Sequence, residues 1–117
     1  MDMTKAARLL RVYTDESAYV GDRKVFEYVT ALARERRLAG ATVLEALMGF
    51  GHSAQLHRKH VFESDRALVI EIVDVEDKLR RFAAELTAVS GIGLVTLEAV
   101  EILSGPTDFQ DEELADG

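Results

Sequence analysis

All three histidines of the chain lie within nine residues of one another, in the segment GFGHSAQLHRKH. Neutral imidazoles bind zinc and copper, so His52, His57 and His60 could hold one such ion if the segment folded back on itself. Their spacings of five and three residues differ from the i, i+4 pair of a helical zinc motif, and Arg58 and Lys59 between them would repel a dication. The pattern therefore favours a contact surface, with a metal site as the alternative.

Catalysis by the same segment lacks the partners that it would need. A histidine base acts on an oriented nucleophile or acid, and Ser53, Ser64 and Asp65 are near the histidines only along the chain. The sequence contains no G-x-S-x-G motif, no P-loop, no dinucleotide fingerprint and no cysteine. We therefore predict that the protein is not an enzyme and has no resident cofactor.

Length and charge limit the remaining classes of protein. The 117 residues fit one domain, predicted at 1–103, followed by a tail at 104–117 that holds five of the 21 acids and none of the 14 bases. Such an acidic tail, poor in large apolar residues, is typical of disorder. The rest of the chain is nearly balanced in charge and predicts no nucleic-acid partner. An apolar signal core and a long apolar stretch are both missing, which predicts a cytoplasmic protein.

The elements before the histidine segment are a strand, a helix and a second strand. ARLLRVYT, at 7–14, alternates in the manner of a buried strand. An apolar stripe predicts a helix over 24–38, with Gly40 as its C-cap. The β-rich start of ATVLEALMGF predicts a strand over 41–50, although 44–48 alone would also suit a helix.

The elements after the histidine segment repeat this pattern. LVIEIVD, at 68–74, predicts a strand, and Asp74 is placed to cap the helix that follows over 75–90. Gly91 is expected to end that helix. GLVTLEAVEIL, at 93–103, predicts a last strand that is broken near Glu98.

The order β-α-β-β-α-β predicts an α+β fold, the ferredoxin-like split βαβ arrangement with both helices on one face of an antiparallel four-stranded sheet. Two helices cannot cover both faces, so the other face stays polar or is buried by another subunit. Glu71 lies inside an apolar strand, and Arg11 is the base that we expect opposite it across the sheet.

With these elements in place, the chain resembles the domain of unknown function 190 family, a relative of the PII-like signalling proteins. The resemblance covers about residues 9–103 and rests on short pieces that occur in register. In chain order these are Tyr13 and Glu16, LAGATV, MGFG, His57, VIEIVD and GLVTLEAVEIL.

The resemblance implies a PII-like homotrimer in which small ligands, often adenine nucleotides, bind in clefts between subunits. It also implies a T-loop between the second and third strands, here residues 49–66, that is mobile and contacts a partner such as a membrane transporter or an enzyme. We expect the loop after the first strand, with Tyr13, Glu16 and Tyr19, to lie close to the start of this T-loop.

Candidate ligand and partner residues follow from this placement. The predicted ligand contacts are Gly49, Phe50 and Gly51 at the loop base, Gly91 and Gly93 opposite them, and Arg58 and Lys59 for an anionic group. The predicted partner surface consists of His52, His57, Arg58, Lys59 and His60. The turn between the second helix and the last strand departs from the basic turn that PII proteins have at this place. Here no lysine or arginine lies between Ser90 and Glu98.

Two functions are therefore predicted for testing. The first is a regulatory protein that binds a small ligand and signals through residues 49–66. The alternative is a divalent-metal-binding trimer that uses His52, His57 and His60, similar in fold to the cation-tolerance proteins.

Overall fold

The computed structural model describes residues 7–47 and 66–105. In chain order the elements are β1 (Ala7–Asp15), β2 (Tyr19–Val20), β3 (Arg23–Lys24), α1 (Val25–Glu35), β4 (Thr42–Glu45), β5 (Ala67–Val75), α2 (Glu76–Thr87) and β6 (Leu94–Ala99). The predicted α+β fold and its β-α-β-β-α-β order are confirmed, with the short hairpin β2–β3 as an addition between β1 and α1.

The four long strands form one antiparallel sheet in the order β4-β5-β1-β6. Alternation along the two central strands sends every second side chain toward the helices, and the registered pairs Leu10–Ile72 and Val12–Ile70 are fully buried there. The helices contribute the rest of the core, which includes Val25, Val29, Ala33, Leu79, Phe82 and Leu86.

The buried helix positions recur at helical spacing, four residues apart in α1 and three or four apart in α2, which is why each helix packs on the sheet by one face.

An ion pair joins the two helices. Arg36 donates hydrogen bonds of 2.8 and 2.7 Å to the two carboxylate oxygens of Glu85, which links the end of α1 to α2. This hydrogen bonding lowers the pKa of Glu85. Neither helix is long and apolar enough to cross a bilayer, within the part of the chain described.

The first helix ends earlier than predicted, and Gly40 is not its cap. Arg37 adopts the left-handed conformation, with φ of 60°, and donates its N–H to the carbonyl of Arg34. The next residue, Leu38, donates to Ala33 at 3.0 Å and buries its side chain. These two bonds form a Schellman motif, so a non-glycine residue carries the backbone strain that usually falls to glycine.

Asp74 does not cap α2 as predicted. Val75 occupies the N-cap position, and its side chain makes no capping hydrogen bond. The buried carboxylate of Asp74 instead accepts the N–H of Val75 at 2.7 Å and that of Ala39 at 2.9 Å. Lys78 Nζ lies 3.7 Å from it and donates to the carbonyl of Arg37. Asp74 therefore joins the end of β5 to the turn after α1.

The remaining boundaries also differ from the predictions. The helix α2 ends at Thr87, four residues before Gly91, and its last bonded turn runs through Ala88 and Val89. The last strand ends at Ala99, although Val100 still donates its N–H to the carbonyl of Ala7 at 3.3 Å. The strand predicted over 41–50 is observed over Thr42–Glu45, and the end of that range lies outside the described residues.

Candidate functional site

One end of the sheet gathers the ends of three strands around the segment between β4 and β5. Glu16 donates its backbone N–H to the carbonyl of Arg66 at 2.8 Å, just before β5 begins. Ala46, just after β4, donates to the carbonyl of Ala67, also at 2.8 Å. The prediction that the loop after β1 lies beside the base of the 49–66 segment is therefore confirmed at Glu16. Tyr13 and Tyr19 were wrongly placed in that loop, because they lie in β1 and β2.

The turn between α2 and β6 packs at the same end of the sheet, and two glycines make that approach close. A Cβ at Gly93 would lie 2.5 Å from the carbonyl oxygen of Tyr13, and one at Gly91 would lie 2.3 Å from that of Tyr19. Gly91 also has a φ of 102°, which disfavours any side chain. The turn thus touches the backbone of both β1 and the hairpin.

The other predicted contact residues fall in a part of the chain that the structure does not describe. They are Gly49, Phe50, Gly51, His52, His57, Arg58, Lys59 and His60. Within 7–47 and 66–105, no three His, Asp or Glu side chains are grouped closely enough to hold a metal ion. Of the predicted site, the structure brings Gly91 and Gly93 to the end of the sheet where the 49–66 segment begins and ends.

The hairpin β2–β3 is the feature of this region that sequence periodicity missed. Its two strands of two residues pair Tyr19 with Lys24 and Val20 with Arg23. Gly21, the first residue of the turn, has a φ of 61°, as in a type II′ turn. The only sequence signal for this hairpin is the dipeptide Gly21–Asp22, because strands of two residues show no alternation.

The sheet face opposite the helices carries an apolar row across all four strands. Leu44, Val69, Tyr13 and Leu94 are registered partners in neighbouring strands. The two at the edges of the sheet, Leu44 and Leu94, are 45% and 56% exposed. No described helix covers this row, and an apolar row of this length is typical of a surface that contacts another molecule.

A charged row runs beside the apolar one. Arg11 and Glu71 are registered partners, and Arg11 Nε donates to Glu71 Oε2 at 2.9 Å, which confirms the expected cross-sheet pair. A second nitrogen of Arg11 donates to Glu98 on β6. The hydrogen bond to Glu71, followed by that to Glu98, raises the pKa of the Arg11 guanidinium, which stays charged. This face therefore combines apolar side chains with a paired centre of one arginine and two glutamates.

The architecture defines the class of protein: it is a PII-like, ferredoxin-like fold. The structure is similar to that of CPII from Thiomonas intermedia K12, solved bound to ADP, AMP and acetate, with a TM-score of 0.60 and 18% identity over 88% of this chain and 93% of that one. It is also similar to the divalent ion tolerance protein CutA1 from Ehrlichia chaffeensis, with a TM-score of 0.52 and 10% identity over 92% and 94% of the two chains.

The chain belongs to the DUF190 family, whose model, described as "Uncharacterized ACR, COG1993", matches residues 7–102. It is 36% identical to a UPF0166 protein of Aquifex aeolicus (strain VF5) over 98 residues, which cover 82% of this chain and 92% of that protein. The resemblance inferred from the sequence is therefore confirmed over nearly all of the described residues.

Proposed function

We propose that this chain is a PII-like regulatory protein that binds a small ligand, an adenine nucleotide, between the subunits of a homotrimer. In this proposal it signals to a partner protein through the segment 49–66. The observation that carries the proposal is the meeting of three features at one end of the sheet. The first is the pair of attachment points of that segment, after β4 and before β5. The second is the end of β1, and the third is the turn that contains Gly91 and Gly93.

This geometry supports the proposed ligand contacts. Gly91 and Gly93 are exposed and lie at the end of the sheet where β4 ends and β5 begins. In the proposal, a ligand on their turn would also contact Gly49, Phe50 and Gly51 of the loop base. Arg58 and Lys59 would then contact an anionic group of the ligand or an acidic partner. A ligand that binds one arrangement of the loop better than others shifts its population toward that arrangement, which selects the partner.

The trimer is supported by the uncovered face of the sheet. The apolar row favours burial against another subunit, and the charged side chains beside it, Arg11, Glu71 and Glu98, are already paired with one another. Burial of this row between subunits also places the sheet ends of neighbouring subunits side by side. The ligand clefts are assigned to those places.

The test is nucleotide binding combined with protection of the loop. Isothermal titration of the full chain with ADP, AMP and ATP should give saturable binding. A ligand at 100 times its Kd should raise the free energy of unfolding by about 2.7 kcal/mol. Trypsin should cleave after Arg58 and Lys59 more slowly in the presence of the bound nucleotide. The proposal is contradicted if none of the three nucleotides binds. If a nucleotide binds but the cleavage rate is unchanged, the segment 49–66 does not respond to the ligand.

A deletion separates signalling from assembly. Removal of residues 52–64 should leave the trimer intact, because the apolar row lies outside the deleted segment. The same variant should lose the protein partners that the full chain retains in the presence of nucleotide. A deletion variant that is monomeric would contradict this division of roles.

The alternative function is divalent-metal binding through His52, His57 and His60, the histidines that all lie in one segment of a fold similar to CutA1. Zinc and copper titrations of the wild type and of a triple alanine variant at these positions distinguish the two functions. Binding that is lost in the variant would favour the metal function. Equal and weak binding by both proteins would eliminate it.

A further inference from the structure

Four exposed arginines take part in no ion pair within the part of the chain that is described. They are Arg23, Arg34, Arg37 and Arg81. A single exposed guanidinium is an ordinary feature of a solvated surface. Arg37 and Arg81 differ from the other two, because contacts between the two helices bring them to the same surface.

The contacts between the end of α1 and the side of α2 fix the place of Arg81. Lys78 Nζ donates to the carbonyl of Arg37 at 2.9 Å, and Glu85 accepts two hydrogen bonds from Arg36. Arg81 comes three residues after Lys78 and four before Glu85, so these three residues share one face of α2. The end of α1 therefore contacts both helical neighbours of Arg81. Arg36, Arg37 and Arg81 form an arginine cluster on the exposed side of this helix contact.

Stability of the fold accounts for only part of the arginine cluster. Arg36 is held by Glu85, and Arg37 follows the C-terminus of α1, where the helix dipole favours a cation. Arg81 lies in the middle of α2, away from both helix ends. Among the described residues, no ion pair joins it to Asp77, the acid four residues before it. The charge of Arg81 is therefore available to an acidic group from elsewhere.

The chain itself supplies an acidic segment that starts near the cluster. Residues 106–117 hold five carboxylate side chains and no basic one. The N–H of Val100 donates to the carbonyl of Ala7, and Ala7 is paired with Val75, the N-cap of α2. Arg81 follows Val75 by six residues, about 9 Å along the helix axis. The 12 residues of the acidic segment span about 40 Å when extended, so they can reach the cluster of their own subunit.

We propose that the arginine cluster is the docking surface for the acidic C-terminal segment 106–117 of this chain. Charge complementarity carries the proposal, because the cluster has two unpaired guanidinium groups and the segment has no base to neutralise its carboxylates. Exposed ion pairs are individually weak and are screened by salt, so the docked segment is released at high ionic strength. The proposal goes beyond the proposed function and does not depend on it, because the ligand is placed at the other end of the sheet.

The experiment uses the full chain, which has no cysteine, so that one introduced thiol can carry a nitroxide label. Ala115→Cys puts the label in the acidic segment and keeps every charge. Paramagnetic broadening of backbone amide NMR signals then shows which residues the label approaches. At low salt, the signals of Arg37 and Arg81 should weaken roughly twofold or more and that of Gly93 least. They should recover in about 0.5 M NaCl, where the screening length is about 4 Å.

Two double variants separate the arginine cluster from positive charge in general. Arg37→Gln with Arg81→Gln removes the two unpaired charges of the cluster. Arg23→Gln with Arg34→Gln removes the same charge outside it, because Arg23 lies in the hairpin and Arg34, two residues before Arg36, lies on the other side of α1. The first variant should lose the salt-dependent broadening, and the second should keep it.

A third variant changes only the acidic segment, so that a folding defect in the cluster variant cannot imitate the expected result. It combines Asp111→Asn, Glu112→Gln and Glu113→Gln and should lose the broadening as the cluster variant does. Three results would overturn the proposal: no broadening at the cluster in the wild type, broadening that survives in the cluster variant, or equal losses in both arginine variants. Strongest broadening at Gly93 would place the segment at the other end of the sheet and would overturn it as well.

Discussion

Arg11 and Glu71 face each other across β1 and β5, and the same guanidinium also contacts Glu98 on β6. One cation therefore joins three of the four strands on the uncovered face. It also separates two carboxylates that lie on either side of β1.

Replacement of Arg11 by methionine should lower the thermal midpoint at neutral pH, because Glu71 and Glu98 then repel each other without a cation between them. Addition of Glu71→Gln and Glu98→Gln to that variant should recover most of the loss. The measurement is a mutant cycle of thermal midpoints. Purely additive effects of the substitutions would show that the three groups do not act together.

A charge in the apolar row should break the assembly. Leu94→Lys places an ammonium group at the edge of the row, where burial against another subunit would cost several kcal/mol. Light scattering should show a fall from three times the chain mass of 13.0 kDa to that mass alone. Leu103→Lys is the matched control, because Leu103 is 87% exposed and lies outside the row. An unchanged mass in the Leu94 variant would contradict assembly through this face.

The glycines of the turn before β6 should be intolerant of alanine. Gly93→Ala brings a Cβ against the Tyr13 carbonyl, and Gly91→Ala adds an unfavourable φ to the same kind of clash. Each substitution should lower the free energy of unfolding by about 2 kcal/mol, measured by urea denaturation. Gly40→Ala is the control, since its Cβ would meet no atom within 4 Å. A loss as large in the Gly40 variant would mean that the contacts at the turn are unimportant.

The Arg36–Glu85 pair should contribute to stability only above acidic pH. The hydrogen bonds from Arg36 lower the folded-state pKa of Glu85 below its ordinary value of 4.5, so the unfolded chain takes up this proton first as the pH falls. Stability from the pair is complete above that ordinary value and decreases as the pH falls through the folded-state pKa.

Urea midpoints between about pH 5 and pH 2 should therefore fall less steeply in Arg36→Gln than in the wild type. Arg34→Gln, a change of the same charge two residues earlier, should keep the wild-type slope. Parallel curves for the wild type and the Arg36 variant would show that Glu85 titrates normally in the folded protein.

The parts of the fold that the sequence predicted are those in which periodicity reports burial. The strands around Leu10 and Ile70 and both helices alternate or recur at their own periods, so their order and the Arg11–Glu71 pairing could be read directly. The end of α1 could not be predicted, because it depends on one long-range contact and on a local backbone motif without glycine. The backbone N–H of Ala39 donates to the carboxylate of Asp74, and the Schellman motif places the left-handed residue at Arg37.

Among the predicted site residues, only the two glycines lie in the described part of the chain. Gly91 and Gly93 stand out in the sequence, but the reason they must be glycine, the carbonyls of Tyr19 and Tyr13, depends on tertiary packing. The hairpin β2–β3 has no periodicity in the sequence, because each of its strands is two residues long.

The contact between Gly93 and Tyr13 has a consequence for how the clefts of a trimer would respond to one another. The carbonyl of Tyr13 touches the turn, and its side chain lies in the apolar row. A ligand that displaces the turn therefore pushes on a residue of the proposed subunit contact, without any intervening flexible segment. Occupation of one cleft should alter the affinity of the next, and the saturation curve should deviate from a simple hyperbola.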